Sequence, residues 1–218
     1  MNKSFCSAAL ASLPLLLAAP AVFAQSSPWS VYAGGAAIRF DSSATVQVGG
    51  QTVAGGDARA SNNTALIFGA IYEFLPAWSA ELALGWPPTS TLTGKGALSS
   101  GGTLGKVTYG PAVWSVRHRF LEAAPLQPYL GIGVNYTMIL NTKDAFLTDV
   151  KVKDAWGTVL QAGLEMPVAA QWKVVLDVKK IWLKTTATAT AAAFGNAPAT
   201  ADVRLNPLVV GAMVAYRF

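Results

Sequence analysis

Residues 208–218 have one wholly apolar face when read as a strand. Leu208, Val210, Ala212, Val214, Tyr216 and Phe218 point one way, and Val209, Gly211, Met213, Ala215 and Arg217 the other, because successive strand side chains alternate between faces. A soluble antiparallel sheet buries such a face in a core, whereas a barrel in lipid turns it outward with its aromatics at the membrane interface. The opposite end of the chain weighs between the two. Residues 1–24 read as an export signal peptide: Lys3 supplies the positive start, residues 5–19 the apolar middle, and Val22-Phe-Ala24 the cleavage site. Beyond Ala24 there is no run of about 18 uncharged apolar residues, so no transmembrane helix is available. Yet the chain is 52% hydrophobic and 12% charged, about half the charged share of soluble domains. An exported, charge-poor chain without a spanning helix leaves the closed barrel as the membrane-spanning architecture.

The sole cysteine, Cys6, lies in the leader, so residues 25–218 form a single domain without disulfides. The formal charge of +5 is scattered, with no basic cluster interleaved by aromatics. Nucleic acid is therefore not an expected partner.

Eight segments have strand character: 28–40, 63–74, 78–86, 105–120, 127–141, 153–166, 172–186 and 201–218. Connections 75–77, 121–126 and 167–171 are short. Connections 41–62, 87–104, 142–152 and 187–200 are long and rich in Gly, Ser, Thr, Ala and Asn, which reads as loops. An even strand number with short turns on one side and long loops on the other marks an outer-membrane barrel. The expected fold is all-β: an eight-stranded antiparallel transmembrane β-barrel in the cell outer membrane of a Gram-negative bacterium.

The inward face divides in two. Toward the short turns it holds Glu73, Glu81, Arg117, Arg119, Glu165, Asp177 and Arg217. Side chains largely fill so narrow a lumen, and buried charges are costly unless paired, so these residues are the candidate periplasmic plug. Toward the long connections the inward residues are apolar, and Ile67, Pro111, Val113, Val159, Leu205 and Pro207 are the candidate lining of a hydrophobic path. Charge below and apolar wall above describe a pocket open to the outside that suits an apolar solute.

Other chemistry finds little footing. His118, the only histidine, falls in the outward register near a short turn, and Ser115 points to the opposite face, so they do not make a nucleophile and base. His118 reads instead as part of an interfacial ring beside Phe120. No metal-ligand spacing occurs, no phosphate-cradling loop, and no cofactor is implied. Lys179-Lys180 interrupts an apolar strand, and parity sends one outward. Either Lys180 sits near the interface and snorkels, or the strand is bulged there. Lys179 reads as a partner for a nearby acid. Gly131 and Gly133 leave room inside the barrel or permit curvature. Pro111 and Pro207 cannot donate to a ladder. They mark a gap in the wall that opens sideways to lipid, a bulge, or a position above the membrane.

The chain resembles the OmpW family of small outer-membrane barrels, which includes the AlkL-type hydrocarbon importers. The resemblance rests on Gln127-Pro-Tyr-Leu-Gly-Ile-Gly-Val-Asn-Tyr-Thr137, Val152-Lys-Asp-Ala-Trp-Gly157 with Gln161-Ala-Gly163, Asp177-Val-Lys-Lys-Ile-Trp182 with Thr185-Thr186, Val203-Arg-Leu-Asn-Pro207 running to Tyr216-Arg-Phe218, and an earlier match from Asn63-Thr64 through Glu81-Leu82. It implies an eight-stranded barrel with a hydrophobic lumen closed at the bottom, moving small apolar molecules inward with lateral release into the bilayer. It also implies recognition of the terminal Tyr216 and Phe218 by the barrel-assembly machinery. An aromatic that narrows the lumen in some relatives falls on Lys179 here. The expected partners are outer-membrane lipid, lipopolysaccharide and small hydrophobic solutes, and no enzymatic activity is expected. The alternative reading is a structural or surface-interaction barrel, a receptor or stress-response protein whose loops bind a partner.

Overall fold

A computed structural model describes residues 27–218; the export signal lies outside the described residues. Fourteen strands run in chain order: β1 (Trp29–Arg39), β2 (Ser42–Val48), β3 (Gln51–Thr52), β4 (Gly56–Ala60), β5 (Asn63–Leu75), β6 (Trp78–Gly85), β7 (Thr89–Gly96), β8 (Thr103–Arg119), β9 (Gln127–Asp144), β10 (Thr148–Val152), β11 (Ala155–Pro167), β12 (Trp172–Ala191), β13 (Ala197–Leu205) and β14 (Leu208–Arg217). Eight of them close on themselves. Antiparallel ladders join β1 to β5, β5 to β6, β6 to β8, β8 to β9, β9 to β11, β11 to β12, β12 to β14, and β14 back to β1. Closure leaves no edge with unpaired backbone in lipid, the condition the bilayer imposes.

Period-two alternation decides the two faces. Ile132 and Leu66 are 69% and 66% exposed although both are large and apolar, an arrangement that belongs to a lipid-facing wall. Aromatic rings gather at two heights on that wall. Near the short turns Trp29 meets Tyr72, His118 sits between Trp78 and Phe120, and Tyr216 sits between Trp172 and Phe218. Higher up, Trp156 packs between Trp114 and Tyr136. His118 thus belongs to the lower aromatic girdle.

Two features differ from the sequence reading. The long connections are mostly not loops. β13 extends the ladders of β12 and β2, β10 pairs with β12, and β7 pairs with β8 and β4. Alternating Thr and Ala at 187–191 suits a pleated sheet, because Thr is β-branched and Ala asks for no space on the inner face. β12 alone has 20 residues. That is roughly 65 Å of strand, where a bilayer needs about ten residues. The barrel therefore continues well above the membrane.

The last strand is also not continuous. It breaks at Asn206-Pro207 into β13 and β14, and β1 breaks from β2 at the same level. The break keeps the register on both sides, Leu205 facing Leu183 and Ser42, and Leu208 facing Lys180 and Arg39. Its wall is closed: the Ile181 amide donates to the Pro207 carbonyl at 3.0 Å and the Asn206 amide to the Asp41 carbonyl at 3.2 Å. Lys180 reaches up to the same break and donates to the Asn206 carbonyl at 2.7 Å, so it snorkels, and the ladders on either side of it run without a bulge. Pro111 stands elsewhere, where the β6–β8 ladder ends at Leu84 and Ala112. The β7–β8 ladder does not begin until Thr89 and Thr108. Between them one bond, Tyr109 amide to Pro88 carbonyl at 3.2 Å, crosses the seam.

Two glycines make room for the largest lumen side chains. Gly69 is the register partner of Tyr32 and Gly163 of Tyr129. A Cβ at Gly69 would stand 2.6 Å from the Tyr32 hydroxyl, and one at Gly163 would collide with the Tyr129 ring and the Leu176 carbonyl. Gly163→Ala should therefore cost about 1–3 kcal/mol, the usual cost of overpacking, measured as a lower urea midpoint in detergent. Gly35→Ala is the control, because its Cβ would meet nothing within 4 Å, and should leave the midpoint unchanged.

Candidate functional site

The lower lumen is closed by side chains from all eight barrel strands. Its bottom layer is acidic at Glu73 (β5) and Glu165 (β11), and basic at Arg119 (β8), Lys173 (β12) and Arg217 (β14). Glu73 pairs with Arg119 at 3.0 Å, Lys173 at 3.2 Å and Arg217 at 3.1 Å. Glu165 pairs with Arg119 at 3.2 Å and Lys173 at 3.1 Å. The layer above pairs Lys179 with Asp177 at 2.6 Å and with Glu81 at 3.2 Å. Tyr32 donates to Glu81 at 2.7 Å and Tyr129 to Asp177 at 2.5 Å.

Arg117 ties the layers together. Its guanidinium lies 2.5 Å from Glu165 below and 3.3 Å from Glu81 above, with its central carbon 4.4 Å over the Tyr129 ring. Gln161, at 0% exposure, fills the centre. Its amide nitrogen donates to both Glu81 and Asp177 at 2.7 Å, and its oxygen accepts from the Ser115 hydroxyl at 2.8 Å. Each buried charge thus meets an opposite charge, which a low-dielectric site demands. All seven residues read from the sequence as the plug stand in this network.

Lys173, Gln161, Tyr32 and Tyr129 are members that the sequence reading passed over, and Lys179 entered it only as an acid's partner. The parity signal was available, because Lys173 and Lys179 share the inward face of Asp177, and Gln161 that of Glu165. Ser115 faces inward and His118 outward, so no nucleophile–base pair forms.

Above the floor the lumen turns apolar. Val113, Ala155, Val159, Ile181 and Leu183 form one buried cluster, with Leu205 and Val209 packed against it. A cavity of about 140 Å³ opens over it, with Ile67, Pro111, Val113, Leu205 and Pro207 in its wall and Asp177 and Lys179 at its base. A dry engineered cavity of roughly 150 Å³ holds benzene, which sets the scale for a guest. Val159 departs from the expected lining: at 4% exposure it packs within the cluster, behind the cavity surface. Ile181 and Leu183, not singled out from the sequence, face the cavity instead. A second apolar cavity of about 80 Å³ lies higher, among the extension strands, and shares Leu92 and Leu205 with the first. The lower cavity also reaches Leu84 and Gly85 beside Pro111, where the ladder is interrupted.

Residues 29–218 match the OmpW family. The chain is 37% identical over 205 residues to the dibenzothiophene metabolism operon protein PahQ of Pseudomonas aeruginosa, spanning 94% of this chain and 95% of that one. To the outer membrane protein AlkL of Ectopseudomonas oleovorans it is 28% identical over 173 residues, 79% of this chain and 74% of AlkL. Among solved structures, the outer membrane protein OprG from Pseudomonas aeruginosa superposes with a TM-score of 0.82 at 23% identity, over 88% of this chain and 97% of that chain. AlkL in lipid bilayers superposes with a TM-score of 0.69 at 24% identity, over 100% and 97%.

Glu165→Gln should strand Arg117, Arg119 and Lys173 without their shared carboxylate. The expected loss is about 3–5 kcal/mol, the range for breaking a buried pair from one side, read as a lower urea midpoint. Planar-bilayer recordings of the refolded variant should show a small ion leak that the parent lacks.

Proposed function

This chain belongs to the OmpW family, and on that premise we propose that it is a hydrophobic funnel through which small apolar molecules enter the outer membrane passively. The observation that carries the reading is an apolar cavity, with a second apolar cavity above it, sealed below by an ion-paired floor. Polar sugars and headgroups at the cell surface obstruct apolar solutes. A dry passage that rises through that layer removes the obstacle, because an apolar guest is then never transferred into water. The floor bars direct passage into the periplasm, so the solute leaves sideways.

The exit we infer is the seam at Pro111, where the β6 and β7 ladders leave β8 and where the cavity touches Leu84, a residue of the lipid-facing register. Pro207, by contrast, stands where neighbouring amides keep the wall closed and is assigned no gating role. The named relative PahQ belongs to a dibenzothiophene metabolism operon. A flat fused-ring heterocycle of that kind joins alkanes as a solute class to test here. Tyr216 and Phe218, in edge contact at 5.4 Å and with Phe218 exposed, are assigned to recognition by the barrel-assembly machinery.

Liposomes carrying the protein should take up dibenzothiophene or an alkane faster than empty ones, measured by partition into an enclosed fluorescent reporter. Leu205→Arg should lower the protein-dependent rate by about tenfold or more, the effect of roughly 1.4 kcal/mol added to the barrier. Unchanged apolar uptake in that variant, or an ion current through the parent, contradicts the funnel.

A further inference from the structure

Charge is divided unequally along the barrel axis. The floor together with Glu122 holds five acidic and five basic residues, whereas the upper part of the chain holds six acidic and ten basic. The excess of positive charge therefore lies at the outer end, as does the whole net charge of the chain once Lys3 of the leader is set aside.

Few of those upper cations have a partner. Among the described residues the single ion pair above the floor is Arg59 with Asp57, at 3.7 Å. Of the other five acids, Asp41, exposed two residues beyond Arg39, and Asp149 make no ion pair, and three are turned to different tasks. Asp144 accepts from the backbone amides of Asp149 and Val150, and Asp202 from the Thr186 hydroxyl at 3.3 Å. Asp154 accepts from the Ile139 amide at 2.8 Å and the Tyr136 hydroxyl at 2.7 Å, and these bonds hold its carboxyl below the usual carboxylate range.

Lys184 on β12 and Arg204 on β13 are direct cross-strand partners, and both are exposed on the outer wall. Like charges placed so are destabilising, and among the described residues neither forms an ion pair, Asp202 two residues along from Arg204 being bonded to Thr186. They stand one outward position above Trp182, a lipid-facing aromatic. Lys180 is one outward position below Trp182, and its ammonium reaches the Asn206 carbonyl, two residues from Arg204. Arg39 continues the row across the wall: Leu208 is the register partner of both Lys180 and Arg39. Four cations on adjoining strands thus form a row within four residues of register along the outer margin of the apolar band, facing away from the lumen.

We propose that Lys180, Lys184, Arg204 and Arg39 bind a phosphate group of the anionic glycolipid of the outer leaflet. The height selects the ligand, because a headgroup phosphate lies just above the acyl chains that Trp182 and Leu208 contact. The donors fit a phosphate, since guanidinium and ammonium groups give charge-assisted bonds to its oxygens. A bound phosphate also relieves the Lys184–Arg204 repulsion. The same arrangement recurs higher up, where Lys106 on β8 directly faces Lys143 on β9, at a level that the phosphorylated sugar core would occupy. The site is on the outside of the barrel and does not depend on what crosses the lumen.

The test titrates bisphosphorylated lipid A into the refolded protein in detergent, with affinity read by calorimetry and the urea midpoint read in parallel. The double variant Lys184→Gln, Arg204→Gln should bind at least about tenfold more weakly. The variant Lys95→Gln, Lys151→Gln, equal in charge but remote from the row, should bind nearly as well as the parent. Without lipid A the first variant should be at least as stable as the parent, because a repulsion has been removed; a loss of stability would mean a structural role and sink the proposal. It is also overturned if the remote variant weakens binding equally, or if phosphatidylglycerol micelles or inorganic phosphate alone raise the midpoint as much as lipid A does.

Discussion

Everything in this barrel hangs on how Arg117 is held. An eight-stranded barrel is too narrow to surround its charges with water, and the four acids and five bases of the lower lumen must satisfy one another. Arg117 is the only member that bonds to both layers, through Glu165 and Glu81, and Tyr129 lies flat beneath it. The floor is consequently one network, not two. Because each charge in it is paired, the space above it needs no water to hydrate stray charge, and the upper wall is free to be apolar. The room for this network comes from absences: Gly69 and Gly163 leave the volume that Tyr32 and Tyr129 occupy.

The outside of the barrel answers to a different solvent at each height. Aromatic rings ring the lower margin beside the first and last described residues, large aliphatics fill the middle, and Trp156 with its neighbours marks the upper margin. Above that line the strands continue, with Thr and charged residues replacing the lipid-facing Leu and Val and with Ala on the inner face. A chain that stops its barrel at the membrane surface could serve as an anchor for loops. One that carries an apolar interior well past the surface is built around that interior, which favours passage over mere anchorage.

Much of this was legible from parity alone. Period two separated Leu130 and Ile132 from Tyr129 and Gly131, and placed Glu81, Arg117 and Asp177 on one inward face. What parity cannot supply is how deep each side chain lies, so Val159 was read as lining when it packs behind it. Composition misled in the long connections. Gly, Ser and Thr signal turns, and the regular Ala–Thr alternation at 187–191 was outweighed by that signal although it was the better guide. Pro207 and Pro111 carry the same local meaning, a missing donor, but opposite consequences. Neighbouring amides seal the wall at Pro207, whereas a shift of strand partner leaves it thin at Pro111, and partner shifts are not written in either segment by itself.

The central claim is that an apolar guest resides in the lumen above the floor. Solid-state NMR of the protein in lipid bilayers, with labelled methyl groups and a protonated alkane in deuterated lipid, measures this directly through space. The account predicts guest contacts to the methyls of Val113, Ile181 and Leu205. Contacts confined to the lipid-facing Leu130 and Ile132 would contradict it.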